Sequence, residues 1–273
     1  MDTVSPTISV TELSSLLGTP CAPMIIDARA TTDFDADPTM VAAALRRPPN
    51  DVSVWNRSLP ERASVVAYCA RGREESRAVA TALLDAGIQA RYLEGGINAW
   101  RAARGLTMSK LPQLGFPSEL PTRWITRERP KIDRVACPWL VRRFIDPHAE
   151  FLYVPPDQVI PSAARRQAVP YDVPGVDFSH EGEFCSFDAF LRRFGLNDRV
   201  LHDLALIVRG ADTARPGLAP QASGLLAVSL GLSTLFEDDL EMLEHGMLVY
   251  DALFAWLRSA RNEVHTAKLF EKQ

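Results

Sequence analysis

The chain has 273 residues, 47% of them hydrophobic and 23% charged, enough to bury one large core or two of ordinary size. A net charge of −4 argues against a general nucleic-acid binder, which needs a basic face, and four widely spaced cysteines (Cys21, Cys69, Cys137, Cys185) build no disulfide framework. The first residues show no basic segment leading into an apolar core, and the longest apolar stretch, 224–236, is too short to span a bilayer. The expectation is a cytoplasmic protein with no membrane partner.

From residue 8 to about 105, short apolar runs alternate with helical patterns, the rhythm of a parallel α/β sheet. Thr11 can cap a helix over 12–17, and Met24-Ile-Ile-Asp27 reads as a buried strand. A strand over 65–68 is followed by a helix over 76–85 that stops at Ala86-Gly87. Another strand covers 90–93, and Gly95-Gly96 turns the chain into a helix over 97–103. The stretch that follows holds Pro112, Pro117, Pro121 and Gly115 and shows no period, so 107–122 reads as a linker. Beyond it, strands are expected over 123–126, 151–154 and 176–179, and helices over 136–145, 186–194 and 198–209. A helical tract over 220–261 breaks around 231–236, and 236–240 reads as a capped helix start. The expected architecture is an α/β domain over 1–106, a parallel sheet flanked by helices, followed by an α+β, mostly helical domain over 123–273.

Cys69 carries the strongest chemical signal. It ends the run Ala63-Ser-Val-Val-Ala-Tyr68 and opens Cys69-Ala-Arg-Gly-Arg-Glu-Glu-Ser76, where a strand delivers the chain to a helix. Loop N–H groups can converge there on whatever the sulfur carries, a helix amino terminus favours a thiolate, and Arg71 and Arg73 add positive charge.

Ile25-Ile-Asp-Ala-Arg29 with Asp33-Phe34, the strand into Cys69-x-x-Gly72, and Tyr92-Leu-Glu-Gly-Gly-Ile-Asn-Ala-Trp100 together resemble a single rhodanese domain. The resemblance implies a thiolate at Cys69 that takes a sulfane sulfur from a small donor, becomes a persulfide, and passes it to a thiol acceptor or cyanide. It implies a cradle of amides over Ala70, Arg71, Gly72, Arg73, Glu74 and Glu75, and a structural pair Asp27 and Arg29 near the loop. Trp100 is assigned to packing. Single-domain rhodaneses tend to carry a basic residue and then serine where this chain has Glu74 and Glu75. Two carboxylates there lower the local positive potential and disfavour a dianion such as thiosulfate.

The segment 124–146, with Phe151-Leu-Tyr-Val-Pro-Pro156, Phe178-Ser-His-Glu-Gly-Glu-Phe-Cys185 and Ile207-Val-Arg-Gly-Ala-Asp212, resembles the carboxyl-terminal domain of ChrB-type chromate-resistance proteins. The resemblance implies handling of chromate or of chromium–thiol complexes. Two clusters carry chemistry here. Lys131, Asp133, Arg134, Cys137, Arg142 and Arg143 surround a helix start, and Lys131, Arg134 and Arg142 are candidates for an oxyanion site. The competing reading is a solvated helix face with Cys137 packed inside. His180, Glu183 and Cys185 are candidate ligands for a transition metal, provided the chain turns at Gly182, against the alternative of a surface hairpin. Arg209 is expected to pair with Asp212. His148, His202, His245 and His265 are poorer candidates, with Glu241 and His245 read as a surface pair. Two hypotheses follow: a rhodanese-type sulfurtransferase coupled to a chromate-handling domain, or a non-catalytic sensor of chromate, metal or redox state.

Overall fold

A computed structural model describes residues 6–60, 62–118 and 120–263, so His265 lies outside the described residues. The first half is built from β1 (Thr7–Ile8), α1 (Val10–Leu16), β2 (Met24–Asp27), α2 (Thr31–Ala36), β3 (Thr39–Val41), β4 (Ala44–Arg46), α3 (Val52–Trp55), β5 (Ser64–Tyr68), α4 (Glu74–Asp85), β6 (Gln89–Leu93), α5 (Gly96–Ala102) and β7 (Thr107–Ser109). Five strands form one parallel sheet in the order β1-β6-β5-β2-β4. Its central strand β5 is buried from Val65 to Tyr68, because the sheet is covered on both faces. Val66 and Tyr68 face one core, and Val65 and Ala67 the other. The register sets Tyr68 opposite Asp27, so both strands end together and their carboxyl-terminal loops share one edge. Helix α1 starts two residues before its predicted position, since Ser9, extended at φ −75° and ψ 159°, supplies the cap to the Glu12 amide in place of Thr11.

The second half comprises β8 (Arg123–Arg127), α6 (Asp133–Phe144), β9 (Glu150–Val154), α7 (Val159–Arg166), β10 (Val169–Pro170), α8 (Ser186–Arg193), α9 (Arg199–Asp212), α10 (Ala222–Leu235) and α11 (Asp239–Ala255). Asp238 caps α11 through the Glu241 amide, as the sequence suggests. A small parallel sheet runs β10-β8-β9. Ile125 of β8 packs with Val159 and Ala163 of α7 on one face, while Trp124 joins the helical core on the other. The third strand is β10, not the expected 176–179. That segment is turned by Asp172 (φ 50°) and Gly175 (φ 81°) and makes a single bridge, Phe178 to Tyr171. Its apolar alternation has a packing cause: Phe178 inserts among Trp124, Phe190 and Phe194, with ring centroids at 5.1, 4.6 and 5.8 Å.

Residues 107–122, expected as a linker, are partly ordered into the fold. β7 pairs antiparallel with β3, and Phe116 sits edge-on to Phe194 at 5.5 Å. No period is visible there because the backbone bonds locally and across the seam, with Ser109 N donating to Phe194 O at 2.8 Å. The two halves meet elsewhere too. Gly18 is backed directly by the Phe144 ring, Ala43 N donates to Phe144 O at 2.7 Å, and Arg258 reaches the Leu17 carbonyl at 3.1 Å. One buried apolar cluster therefore includes residues of both halves, from Leu13 and Trp100 to Trp139 and Phe254. Among the described residues no helix is long and apolar enough to cross a membrane.

Candidate functional sites

The Cys69 loop forms because β5 ends at the carboxyl end of the sheet and α4 begins after five intervening residues. Gly72 makes the reversal possible: its φ is 63°, and a Cβ there would lie 2.5 Å from Leu93 O and 2.7 Å from Gly95 N. Gly96, at φ 59°, is pressed just as closely against Cys69 O and lies 2.6 Å from Gly72 N by the same measure. The turn at the start of α5 thus braces the loop from below, with Ile97 N donating to Cys69 O (3.0 Å) and Asn98 N to Ala70 O (3.1 Å). Cys69 is 1% exposed, and its sulfur accepts from Arg73 N at 3.3 Å and from Ser76 Oγ at 3.2 Å. It opens on a cleft of about 500 Å³ lined by Asp33, Cys69, Arg71, Arg73, Glu74, Glu75 and Asn98. Two guanidinium groups face three carboxylates there.

Under the loop, Asp27 and Arg29 form a buried ion pair at 2.5 Å. Asp27 also accepts from Tyr68 Oη at 2.6 Å, while Arg29 extends to Asp37 at 2.7 Å and to the Thr39 carbonyl at 3.0 Å. Buried charges are tolerable only when paired and bonded in this way. The pair ties β2, β5 and β3 together beside Cys69 and touches no sulfur.

A second centre lies at the carboxyl ends of β8 and β10, where open parallel sheets place their ligands. His180 Nε2 stands 3.1 Å from Asp212, 3.3 Å from Asp133 and 3.5 Å from Asp172. Asp133 opens α6, Asp212 closes α9, and Asp172 follows β10. Ile132, a β-branched residue held at φ 42°, turns the chain so that the Asp133 side chain points inward. That conformation is held by Ser229 Oγ accepting from Ile132 N (2.8 Å) and by Tyr250 Oη donating to Ile132 O (2.6 Å). Ser186 N donates to Asp133 and Ser186 Oγ to Asp172. Burial, and then Asp172, push the Asp133 carboxyl up to about 7 against the pull of His180. Hydrogen bonds to Asp133, Asp172 and Asp212 hold the His180 imidazole far above its ordinary value. Asp172 is held below the usual carboxylate range despite its burial, by bonds from His180 and Arg127.

A family described as rhodanese-like domain matches residues 9–103, and one described as ChrB, C-terminal domain, matches residues 124–257. This chain is a rhodanese-like domain followed by a ChrB C-terminal domain. Protein ChrB of Cupriavidus metallidurans is 36% identical over 140 residues, which are 51% of this chain and 42% of that protein, so the chain spans less than half the length of this curated relative. Among solved structures, a rhodanese-related protein from Thermoplasma volcanium is 20% identical, with a TM-score of 0.33 over 37% of this chain and 95% of that one. The Alr3790 protein from Anabaena sp. is 26% identical, with a TM-score of 0.34 over 39% and 85%.

In the rhodanese-like domain, Ser76 was not singled out by the sequence, although it occupies the α4 face nearest the sulfur. The late position of the serine, one residue beyond Glu75, is the signal that could have found it. In the ChrB C-terminal domain the proposed sets disperse. Arg134 bonds to the carbonyls of Arg127 and Glu128 and pairs with Asp172 at 3.3 Å, while Arg142 pairs with Glu244 at 2.5 Å and packs over Phe151. Lys131 is exposed, with no ion pair among the described residues. Three cations engaged or scattered in this way do not form an oxyanion cradle.

The expected metal set also separates. Gly182 does turn the chain (φ 61°), but Glu183 points to Arg215 at 3.3 Å. Cys185 is buried at the start of α8, bonded to Asp188, and its thiol is pushed up by burial and then by Asp133. Cys137 is buried and pushed up likewise. Arg209 pairs with Asp188 at 2.6 Å, not with Asp212, which turns to His180. His245 stacks on Phe236 at 4.3 Å. The partners of His180 were hidden because Asp133, Asp172 and Asp212 come from three segments far apart in the chain.

Proposed function

We propose that the protein is a sulfurtransferase whose Cys69 carries a persulfide, and that its second domain serves chromate resistance by acting on chromium–thiol complexes. The observation that supports sulfur transfer is the placement of Cys69 Sγ, with Arg73 N and Ser76 Oγ both donating to it at the floor of a cleft. In the first step the Cys69 thiolate attacks the sulfane sulfur of the donor. The donor's sulfur–sulfur bond breaks, and its electron pair leaves with the departing thiolate or sulfite. The outer sulfur of the Cys69 persulfide then meets the N–H groups of the first turn of α4, which have no acceptor within the helix. An acceptor thiolate attacks that outer sulfur and returns Cys69 to the thiolate.

The three carboxylates of the cleft oppose a dianionic donor, so a thiol persulfide suits it better than thiosulfate. The match of the second domain to Protein ChrB supports the chromate-resistance part of this reading. Steady-state transfer to a small thiol acceptor tests the reading. Turnover with a thiol persulfide should exceed that with thiosulfate and should vanish in Cys69→Ser. Full activity in Cys69→Ser would overturn it.

A further inference from the structure

We propose that Asp133, Asp212 and His180 bind one divalent transition-metal ion in the ChrB C-terminal domain. The proposal stands apart from sulfur transfer and uses a different donor set from the His180, Glu183 and Cys185 suggested by the sequence.

Spacing is the first support. Ligand atoms about 2.1 Å from one ion lie roughly 3.0 Å apart in an octahedron and roughly 3.4 Å apart in a tetrahedron. His180 Nε2 lies 3.1 Å from Asp212 and 3.3 Å from Asp133, and one ligand atom from each of the three residues falls within 4.8 Å of the others. A single imidazole N–H directs one good hydrogen bond, so it does not account for several carboxylate oxygens gathered at these distances.

Charge is the second support, and it is independent of spacing. Asp172 is answered by Arg127 at 2.7 Å and Arg134 at 3.3 Å. Asp133 and Asp212 face no arginine or lysine ion pair among the described residues, and their side chains are only 2% and 15% exposed. One imidazole is their whole counter-charge, whereas a divalent ion would balance both carboxylates and leave His180 neutral as a ligand. Two buried carboxylates sharing one imidazole are under-compensated, and metal coordination is one of the few ways to relieve this.

The donor chemistry narrows the ion. Two carboxylate oxygens and one imidazole suit Mn²⁺, Fe²⁺ or Zn²⁺, and the imidazole disfavours Ca²⁺. The neighbouring thiols of Cys137 and Cys185 are buried, and Cys185 is engaged by Asp188, so a soft thiolate site is not formed. His180, with its side chain 40% exposed, leaves the outer side of the ion open to water or substrate.

The test uses the full chain stripped with a chelator and titrated with MnCl₂ and with ZnCl₂ by calorimetry. One ion should bind per chain. His180→Gln and Asp212→Asn should each weaken binding at least tenfold, while Glu183→Gln should leave it unchanged. Pulsed electron paramagnetic resonance of the wild-type chain with Mn²⁺ should show coupling to an imidazole nitrogen. That reading does not depend on any variant folding. No saturable binding, unchanged affinity in both ligand variants, loss of binding in Glu183→Gln, or absence of nitrogen coupling would each overturn the proposal.

Discussion

The two centres are built by opposite means. The Cys69 loop is one continuous stretch whose geometry is set by backbone: a strand end, a left-handed glycine and a helix start, braced by a second glycine turn. The His180 centre has almost no local backbone of its own, and its side chains arrive from α6, α9, the turn after β10 and the loop before α8. A site made from contiguous backbone is sensitive to added volume and tolerant of exchanged surface charge. A site made from converging side chains is sensitive to charge and proton balance.

The largest effect should come from adding one carbon to the loop's brace. Gly96→Ala places a Cβ against Cys69 O at a positive φ, and should cost about 3 kcal/mol of stability together with most of the sulfur transfer. Thermal unfolding and turnover measured side by side would check this. An active, fully stable variant would show that the loop does not depend on its glycine support.

Ser76→Ala removes one of the two hydrogen bonds to the Cys69 sulfur at a buried position. Transfer should fall by about tenfold, in line with a bond to a charged acceptor worth roughly 1.5 kcal/mol, while Tm changes little. Ser76→Thr, which keeps the hydroxyl, should recover part of the loss. Equal kinetics in wild type and Ser76→Ala would reduce this serine to packing.

Exchanging surface charge should do less. Replacing Glu74 and Glu75 by Arg and Ser should raise kcat/KM for thiosulfate by roughly fivefold and leave thiol persulfide turnover nearly unchanged. A loss with thiosulfate would contradict the electrostatic account of donor choice.

The second centre should respond to pH instead. Asp133 is pushed up to about 7, so in the chelated protein the folded chain holds a proton that the unfolded chain has released. Its contribution is present below the ordinary carboxylate range and is lost as pH rises through about 7. His180, also raised, has the same sign above its ordinary value. Asp172, being lowered, matters only in acid, below this window. Stability should therefore decline from pH 5 to pH 8, by about 2–4 °C in Tm for each kcal/mol lost. A Tm that rises over this range would reverse the assignment of protons at the centre.

The same contrast explains what the sequence could reveal. Cys69, Gly72 and Gly95-Gly96 act within short stretches, so strand, loop and helix were readable from local pattern, as were β2, β5, β6 and α11. Thr107–Ser109 and Val169–Pro170 are too short to show a period, and their pairing with β3 and β8 depends on chain closure. Phe178 imitates a strand residue because it fills an aromatic core. Asp133, Asp172 and Asp212 are ordinary as letters, at a helix start, a turn and a helix end. Only the fold brings them to His180.

The most direct test of sulfur chemistry is intact-protein and peptide mass spectrometry after incubation with a thiol persulfide donor. The account predicts a gain of one sulfur atom, located on the peptide containing Cys69, reversed by a thiol acceptor and absent in Cys69→Ser. Sulfur found on Cys21, Cys137 or Cys185, or none on Cys69, would contradict it.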